Sequence, residues 1–170
     1  DYISRIPLNF SLLDVHMWYI YLLIGMYLYM PVFSAWVEKA SEKAKLWFLA
    51  AWGVTLFVPY YREFVNPYLW GSCSWNEFYM LYNFAGFNGY LLLGHYLRHH
   101  DFSLARTLGW GIPSFVIGFL ITFLGFRHIT SLPEYTEEQL EMFFYYCSPN
   151  VVMMTVPCFL IAKKVNVRNE

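Results

Sequence analysis

Charged side chains are scarce in this chain. They make up 14% of its 170 residues, where an ordinary soluble domain carries about 25%. The net charge of -1 also lacks the basic excess that a nucleic-acid-binding surface requires. Hydrophobic residues, by contrast, account for 58% of the chain and aromatic residues for 22%. The composition therefore argues against a nucleic-acid partner and indicates an integral membrane protein in contact with membrane lipid.

Motifs for metal and nucleotide sites are missing as well. The three cysteines, at positions 73, 147 and 158, follow no metal-ligand spacing, and neither an HExxH motif nor a glycine-rich phosphate loop is present. We therefore predict no resident metal and no bound cofactor. We expect Cys73 and Cys147 to be two unpaired thiols, the alternative being a disulfide if both face outward.

One long stretch has no charged residue. No Asp, Glu, Lys or Arg occurs between Asp14 and Glu38, and this run exceeds the roughly 20 apolar residues that cross a hydrocarbon core about 30 Å thick. Ser11 and Asp14 resemble a helix-capping pair. Trp18 lies near one end and Trp36 near the other, where indole rings favour the membrane interfaces. We predict a first transmembrane helix at 14–36.

The apolar pattern then repeats four times. Further helices are predicted at about 46–61, 78–97, 107–126 and 136–162. The last is predicted to be one kinked span that opens with a capping box at Thr136 and Gln139 and is interrupted at Pro149 and Pro157. The predicted fold is all-α: a polytopic bundle of about five transmembrane helices in a single domain over residues 1–170.

Small residues recur along one side of the predicted fourth helix. Ser114, Gly118 and Thr122 follow one another at intervals of four residues. Small side chains at this spacing let two helix backbones approach closely within lipid. We therefore predict that this side of the helix contacts another helix.

The distribution of basic residues predicts the orientation of the bundle. Eight of the eleven lie in the loops and tail that follow the first, third and fifth helices, and these are Lys39, Lys43, Lys45, Arg98, Arg106, Lys163, Lys164 and Arg168. The other three, Arg5, Arg62 and Arg127, lie on the opposite side. Because basic residues favour the cytoplasmic side, we predict an outside N-terminus and a cytoplasmic C-terminus.

Candidate substrate-binding residues lie toward the predicted outer side. His16 is an ionisable group within a span, where function is the default hypothesis and a hydrogen-bonded interfacial histidine is the alternative. Asn83 is predicted to face the bundle interior, where it would bind substrate or hold helices together. Arg127 belongs to a polar group that could gather at the outer rim beside Tyr and Trp rings and bind a sugar-like ligand, solvated helix ends being the alternative. The other members of that group are Asp14, Glu63, Glu77 and His128.

A second candidate group lies at the predicted cytoplasmic side. Arg98, His99 and Arg106 could contact the phosphates of a cytosolic ligand, since a guanidinium binds phosphate in a bidentate manner. A positively charged membrane anchor is the alternative. His95 and His99 could share a helix face and hold zinc, but a third ligand is missing.

Three stretches resemble a known family. They are His16 to Tyr21 (HMWYIY), continuing through LIGMYL to Pro31; Gly89 to Leu97 (GYLLLGHYL); and Tyr145-Tyr146 through Ser148-Pro149-Asn150 and the apolar run to Lys164. Together, and in this order, they are similar to helices of bacterial membrane acyltransferases of the acyltransferase 3 family.

The resemblance implies a function. Members of this family transfer an acyl group, often acetyl from acetyl-CoA, to hydroxyls of extracytoplasmic or lipid-linked carbohydrates. The family has about ten spanning helices, so the resemblance implies that this chain is its C-terminal half and lies in a bacterial inner membrane. The family's Arg-then-His catalytic motif would precede residue 1, which leaves the catalytic residues unassigned and predicts that this piece alone is inactive. His16 and Trp18 would support the outer face of the site.

Two other functions remain open at this point. Kinked helices and small-residue stripes also occur in transport bundles, so half of a transporter or flippase is one alternative. A membrane scaffold without catalytic activity is the other. No carboxylate lies well inside a predicted span, and this argues against an ion-coupled transporter.

Overall fold

The computed structural model describes residues 18–67, 69 and 79–166. The helices are α1 (Trp18–Lys39), α2 (Glu42–Phe64), α3 (Asn88–His99), α4 (Leu104–Thr130), α5 (Glu137–Glu141) and α6 (Pro149–Asn166), with a 3-10 helix at Tyr79–Phe84. No strand occurs among these residues, which confirms the all-α prediction for the described part. The chain divides into two compact units, residues 1–42 and 43–170.

Two helices are long and apolar enough to cross a membrane. They are Tyr19–Lys39, within α1, and Leu104–Thr130, which is α4. In each of them, 11% of the most apolar stretch is buried inside the protein. The prediction of about five spanning helices is not confirmed by length and composition. At 1.5 Å per residue the 12 residues of α3 extend only about 18 Å.

The charged segment between the first two helices is mostly helical, so the connection is shorter than the predicted helix bounds of 14–36 and 46–61 imply. Only residues 40–41 separate α1 from α2, and α2 extends beyond the predicted 46–61 at both ends. Glu42 lies in its first turn and Arg62 in its last, where their charges stabilise the helix dipole. Pro59 lies inside α2 and does not end it.

The predicted third helix is broken in two. The 3-10 helix ends at Phe84, α3 begins at Asn88, and between them Gly86 adopts a φ of 83°, which glycine tolerates because it has no Cβ. The indole N–H of Trp52 in α2 donates to the Gly86 carbonyl at 2.9 Å. A buried tryptophan therefore holds the break against α2.

The small residues of α4 lie against α6, as predicted. The Ser114 hydroxyl donates to the Met153 carbonyl at 2.9 Å, and a Cβ at Gly118 would lie 2.6 Å from the Asn150 carbonyl oxygen. Further toward the start of α4, a Cβ at Gly111 would lie 2.8 Å from Pro157. The contacts move toward the C-terminus of α6 as they move toward the N-terminus of α4, so the two helices run antiparallel.

The predicted last span consists of two separate helices. α5 has five residues, and the capping box at Thr136 and Gln139 is present as predicted. Turns follow until α6 begins at Pro149. Proline disfavours a helical conformation at the preceding residue, Ser148, but suits the start of a helix because its missing N–H is not needed there. The prediction of one continuous kinked helix is therefore wrong.

Candidate functional site

A cavity of about 590 Å³ opens at the C-terminal end of α2. The end of α2 forms one wall, and α5 with the turns that lead to α6 forms the other. It is lined by Val58, Pro59, Tyr60, Arg62, Glu63, Pro67, Thr136, Glu138, Gln139, Glu141, Met142, Tyr145, Cys147 and Ser148. Its volume lies within the range of small-molecule sites, about 300–1,000 Å³.

Asn150 holds the inner wall of this cavity in place. Its side chain is fully buried, and its amide nitrogen donates to the Phe143 carbonyl at 2.6 Å and to the Thr122 hydroxyl at 2.7 Å. The Tyr60 hydroxyl lies 2.9 Å from the Asn150 amide oxygen and 3.1 Å from the Met142 carbonyl. One asparagine thus joins α2, α4 and α6 behind the cavity.

Gln139 connects the two walls. Its amide oxygen accepts from the Thr136 backbone N–H at 3.0 Å, and its amide nitrogen donates to a Glu63 carboxylate oxygen at 2.6 Å. The Gln139 backbone N–H in turn donates to the Thr136 hydroxyl at 3.2 Å. Because the Thr136 backbone N–H requires an acceptor, the Gln139 amide oxygen faces it, and the amide nitrogen therefore faces Glu63. The capping box of α5 therefore also orients a carboxylate of α2.

The lining is rich in hydrogen-bond acceptors. Glu63, Glu138 and Glu141 contribute carboxylates, and Arg62 contributes one guanidinium. Tyr60 and Tyr145 add hydroxyls and rings. Carboxylates accept hydrogen bonds from hydroxyl groups. The arrangement can therefore bind a small, hydroxyl-rich molecule.

A different arrangement closes the far end of the α4–α6 pair. The Lys163 ammonium donates to the carbonyls of Leu97, Arg98 and His100, at 3.2, 2.7 and 3.2 Å, and lies 3.3 Å from an Asp101 carboxylate oxygen. These carbonyls are at the C-terminal end of α3, where a cation is favoured. α6 is thereby fixed to the end of α3.

Lys164 approaches the same carboxylate of Asp101, at 3.5 Å. The hydrogen bond and charge of Lys163, together with the charge of Lys164, hold the pKa of Asp101 below its usual range. The Asp101 carboxylate thus forms ion pairs with both lysines beside the end of α3.

The predicted phosphate-contacting residues are close to Asp101 in the sequence. Arg98 and His99 end α3 and Arg106 is in the first turn of α4, so residues 100–103 connect them. All three side chains are exposed. Ser103 caps α4 by accepting from the Arg106 backbone N–H at 3.3 Å. A ring nitrogen of His99 lies 2.8 Å from the His95 carbonyl.

Among the described residues, the predicted site residues Asn83 and Arg127 are not in the cavity lining. Asn83 is exposed on the 3-10 helix, so the prediction that it faces the bundle interior is wrong. Arg127 is exposed in the last turn of α4. Trp18 begins α1, with its side chain outside the described part, and His16 lies outside the described residues altogether. Of the predicted outer group, Glu63 is the residue found in the cavity lining.

Several lining residues had no role in the sequence-based prediction, among them Tyr60 and Tyr145. Cys147 is buried against the cavity and Cys158 is exposed. Cys73 lies outside the described residues, and Cys147 is a free cysteine, as the prediction of unpaired thiols expects. Among the residues that the structure describes, no three potential ligands form a metal site.

Comparison with known proteins gives one match. Residues 2–169 match the acyltransferase domain of the acyltransferase 3 family. Neither a curated protein nor a solved structure matches the chain significantly. The match covers nearly the whole sequence, including every element that forms the cavity.

Proposed function

Because this chain belongs to the acyltransferase 3 family, we propose that it is part of an integral-membrane O-acyltransferase. Its reaction moves an acyl group, acetyl in the simplest case, from acyl-CoA to a hydroxyl of an extracytoplasmic or lipid-linked carbohydrate. The family match supports the transfer of an acyl group. The observation that carries the choice of acceptor is the cavity between α2 and α5.

The chemistry balances without a further reactant. The acceptor hydroxyl oxygen attacks the thioester carbonyl, a C–O ester bond forms, and the C–S bond breaks. The hydroxyl proton passes to a base and then to the departing sulfur, so the products are an ester and free coenzyme A thiol. A neutral histidine suits the role of such a base. The catalytic residues of this reaction are not assigned to this chain.

We place the acceptor in the cavity. Its tyrosines offer ring faces to the C–H surface of a sugar, and its carboxylates accept hydrogen bonds from the sugar hydroxyls. The cavity lies near the end of α4 that carries Arg127, which the distribution of basic residues assigns to the outer side. His16 and Trp18 keep the supporting role at the outer face that the family resemblance implies.

We place the acyl donor at the opposite end. Arg98, His99 and Arg106 would contact the phosphates of acyl-CoA, and the lysines at the end of α6 add positive charge to the same side. α4 has 27 residues, so its ends are about 40 Å apart. That length is comparable to a whole bilayer, and a donor at one end with an acceptor at the other therefore requires a path for the acyl group across the membrane.

The test is an acyl-transfer assay on membranes that contain the protein in its natural setting, a bacterial inner membrane. Labelled acetyl-CoA is added and the label in carbohydrate is measured, with membranes from a deletion strain as the control. We expect ester-linked label that alkali releases and that the deletion strain lacks. Movement of carbohydrate across vesicles without acyl-CoA, with no label transferred, would instead indicate a transporter or flippase.

A further inference from the structure

The cavity between α2 and α5 has a marked imbalance of charge. Its lining contains three carboxylates, Glu63, Glu138 and Glu141, and one guanidinium, Arg62, and no lysine or histidine. A ligand that enters exchanges water for these groups. A negatively charged ligand would meet three like charges and one opposite charge, and like charges brought together strongly oppose binding.

Glu63 is the member of this set with a fixed orientation. It receives the amide nitrogen of Gln139 at 2.6 Å, and the other end of that amide is occupied by the Thr136 backbone N–H at 3.0 Å. The donor that faces Glu63 is therefore already spent on one carboxylate oxygen. An incoming carboxylate would meet the like charge of Glu63, whereas an incoming hydroxyl can donate a hydrogen bond to it.

The same carboxylates do not form a cation site. A divalent metal requires several oxygen ligands at about 2–2.6 Å, and no three potential ligands are grouped in this way within residues 18–67 and 79–166. The lining also mixes the carboxylates with two tyrosines and a glutamine amide. Such a lining fits an organic ligand with many hydroxyl donors better than a bare ion.

We infer that this cavity selects a hydroxylated sugar ring without a negative charge, and that Glu63 determines this selection. The inference rests on the proposed function, because it treats the cavity as the place where the acceptor binds. It goes further by assigning the charge of the acceptor. Neutral sugars and amino sugars bind, and sugars that carry a carboxylate are rejected.

The experiment compares two ligands that differ only at one carbon. Isothermal titration calorimetry is performed on the full chain in lipid nanodiscs with methyl glucoside and with methyl glucuronide. We expect the glucoside to bind at least about tenfold more tightly than the glucuronide. Glucosamine, with a positive charge, is expected to bind at least as tightly as the glucoside.

Variants then assign the selection to the cavity. Glu63→Gln removes the charge at nearly constant shape and is expected to reduce the discrimination to less than about threefold. Glu141→Gln, on the opposite wall, is expected to reduce it in the same direction and serves if Glu63→Gln fails to fold. Glu137→Gln is the matched control, because Glu137 lies beside Glu138 in the same turn, is exposed and is not in the cavity lining.

Several results would overturn the inference. These are equal binding of the two ligands, no binding of any sugar, discrimination that both cavity variants keep, or saturable binding of calcium that Glu63→Gln abolishes while sugars do not bind. The assay needs no acyl donor, so it separates the two proposals. Sugar discrimination without acyl transfer keeps this inference and removes the proposed function. Acyl transfer with unaltered discrimination in both cavity variants does the reverse.

Discussion

The two ends of the antiparallel α4–α6 pair use charge in opposite ways. At one end, Lys163 donates hydrogen bonds to the carbonyl groups at the C-terminal end of α3, and the Asp101 carboxylate balances its positive charge. At the other end, Glu63 and its neighbours surround an open cavity. The first arrangement satisfies its polar groups internally and holds helices together. In the second arrangement the carboxylates line an open cavity, where a ligand could reach them. Charged residues therefore hold helices together at one end and line the proposed binding site at the other.

The largest expected effect comes from removing the buried amide behind the cavity. Asn150→Ala removes the buried amide that donates to the Phe143 carbonyl and the Thr122 hydroxyl, while the Tyr60 and Thr122 hydroxyls keep their contacts with the carbonyls of Met142 and Gly118. We expect a loss of about 3 kcal/mol in the free energy of unfolding, measured by denaturant unfolding in micelles. Asn83→Ala is the control, because Asn83 is exposed. Equal stability of the two variants would contradict the role given to Asn150.

A second test concerns the contact between α4 and α6. Gly118→Ala places a Cβ 2.6 Å from the Asn150 carbonyl oxygen, and the helices must separate to accept it, at a cost of about 1–3 kcal/mol. Gly109→Ala in the same helix meets no atom within 4 Å. We expect the melting temperature to fall for Gly118→Ala only. A similar fall in both would show that close approach is not the cause.

Substitution of Lys163, at the other end of the α4–α6 pair, should reduce stability less. Lys163→Met removes the cation that the α3 carbonyls bind, and we expect a loss of about 1–2 kcal/mol in the free energy of unfolding. Lys164→Met is the matched comparison, since Lys164 reaches only the Asp101 carboxylate among the contacts seen, at 3.5 Å. If both substitutions cost the same, the carbonyl groups are not what Lys163 stabilises.

The smallest expected effect is the pH dependence of the stability that Asp101 contributes. Lys163 lowers the pKa of Asp101, so the ionised Asp101 stabilises the fold above its ordinary pKa, near about 3.9. This contribution is lost as the pH falls through the lowered pKa. Melting temperatures of the wild type and of Asp101→Asn should differ slightly at neutral pH and converge at the acid end. A difference that grows toward low pH would contradict the ion pair.

The same comparison explains which features the sequence could predict. Local patterns were reliable: the capping box at Thr136 and Gln139, the apolar stretch from Trp18 and the small-residue stripe from Ser114 to Thr122 are all present. Each depends on spacing within a single helix. The stripe on α4 required a partner but not its identity.

Features that depend on distant residues were missed. The break at Gly86 is held by Trp52, which is 34 residues away, so the sequence around it resembled one continuous helix. Asn83 was placed in the bundle interior for that reason. The cavity was not predicted, and of its lining only Glu63 belonged to the polar outer group that the sequence suggested, because the second wall depends on the separation of α5 from α6. Lys163 was predicted as a topology signal, and its carbonyl partners lie more than 60 residues away in the chain.

The central claim is that the acceptor sugar binds between α2 and α5. The most direct measurement is photo-crosslinking of the full chain with a glucoside that carries a diazirine, followed by peptide mass spectrometry. We predict labelled peptides from residues 58–67 and 136–148, and competition by unmodified methyl glucoside but not by methyl glucuronide. Label confined to other parts of the chain, such as the 3-10 helix with Asn83 or the lysine end of α6, would contradict the account.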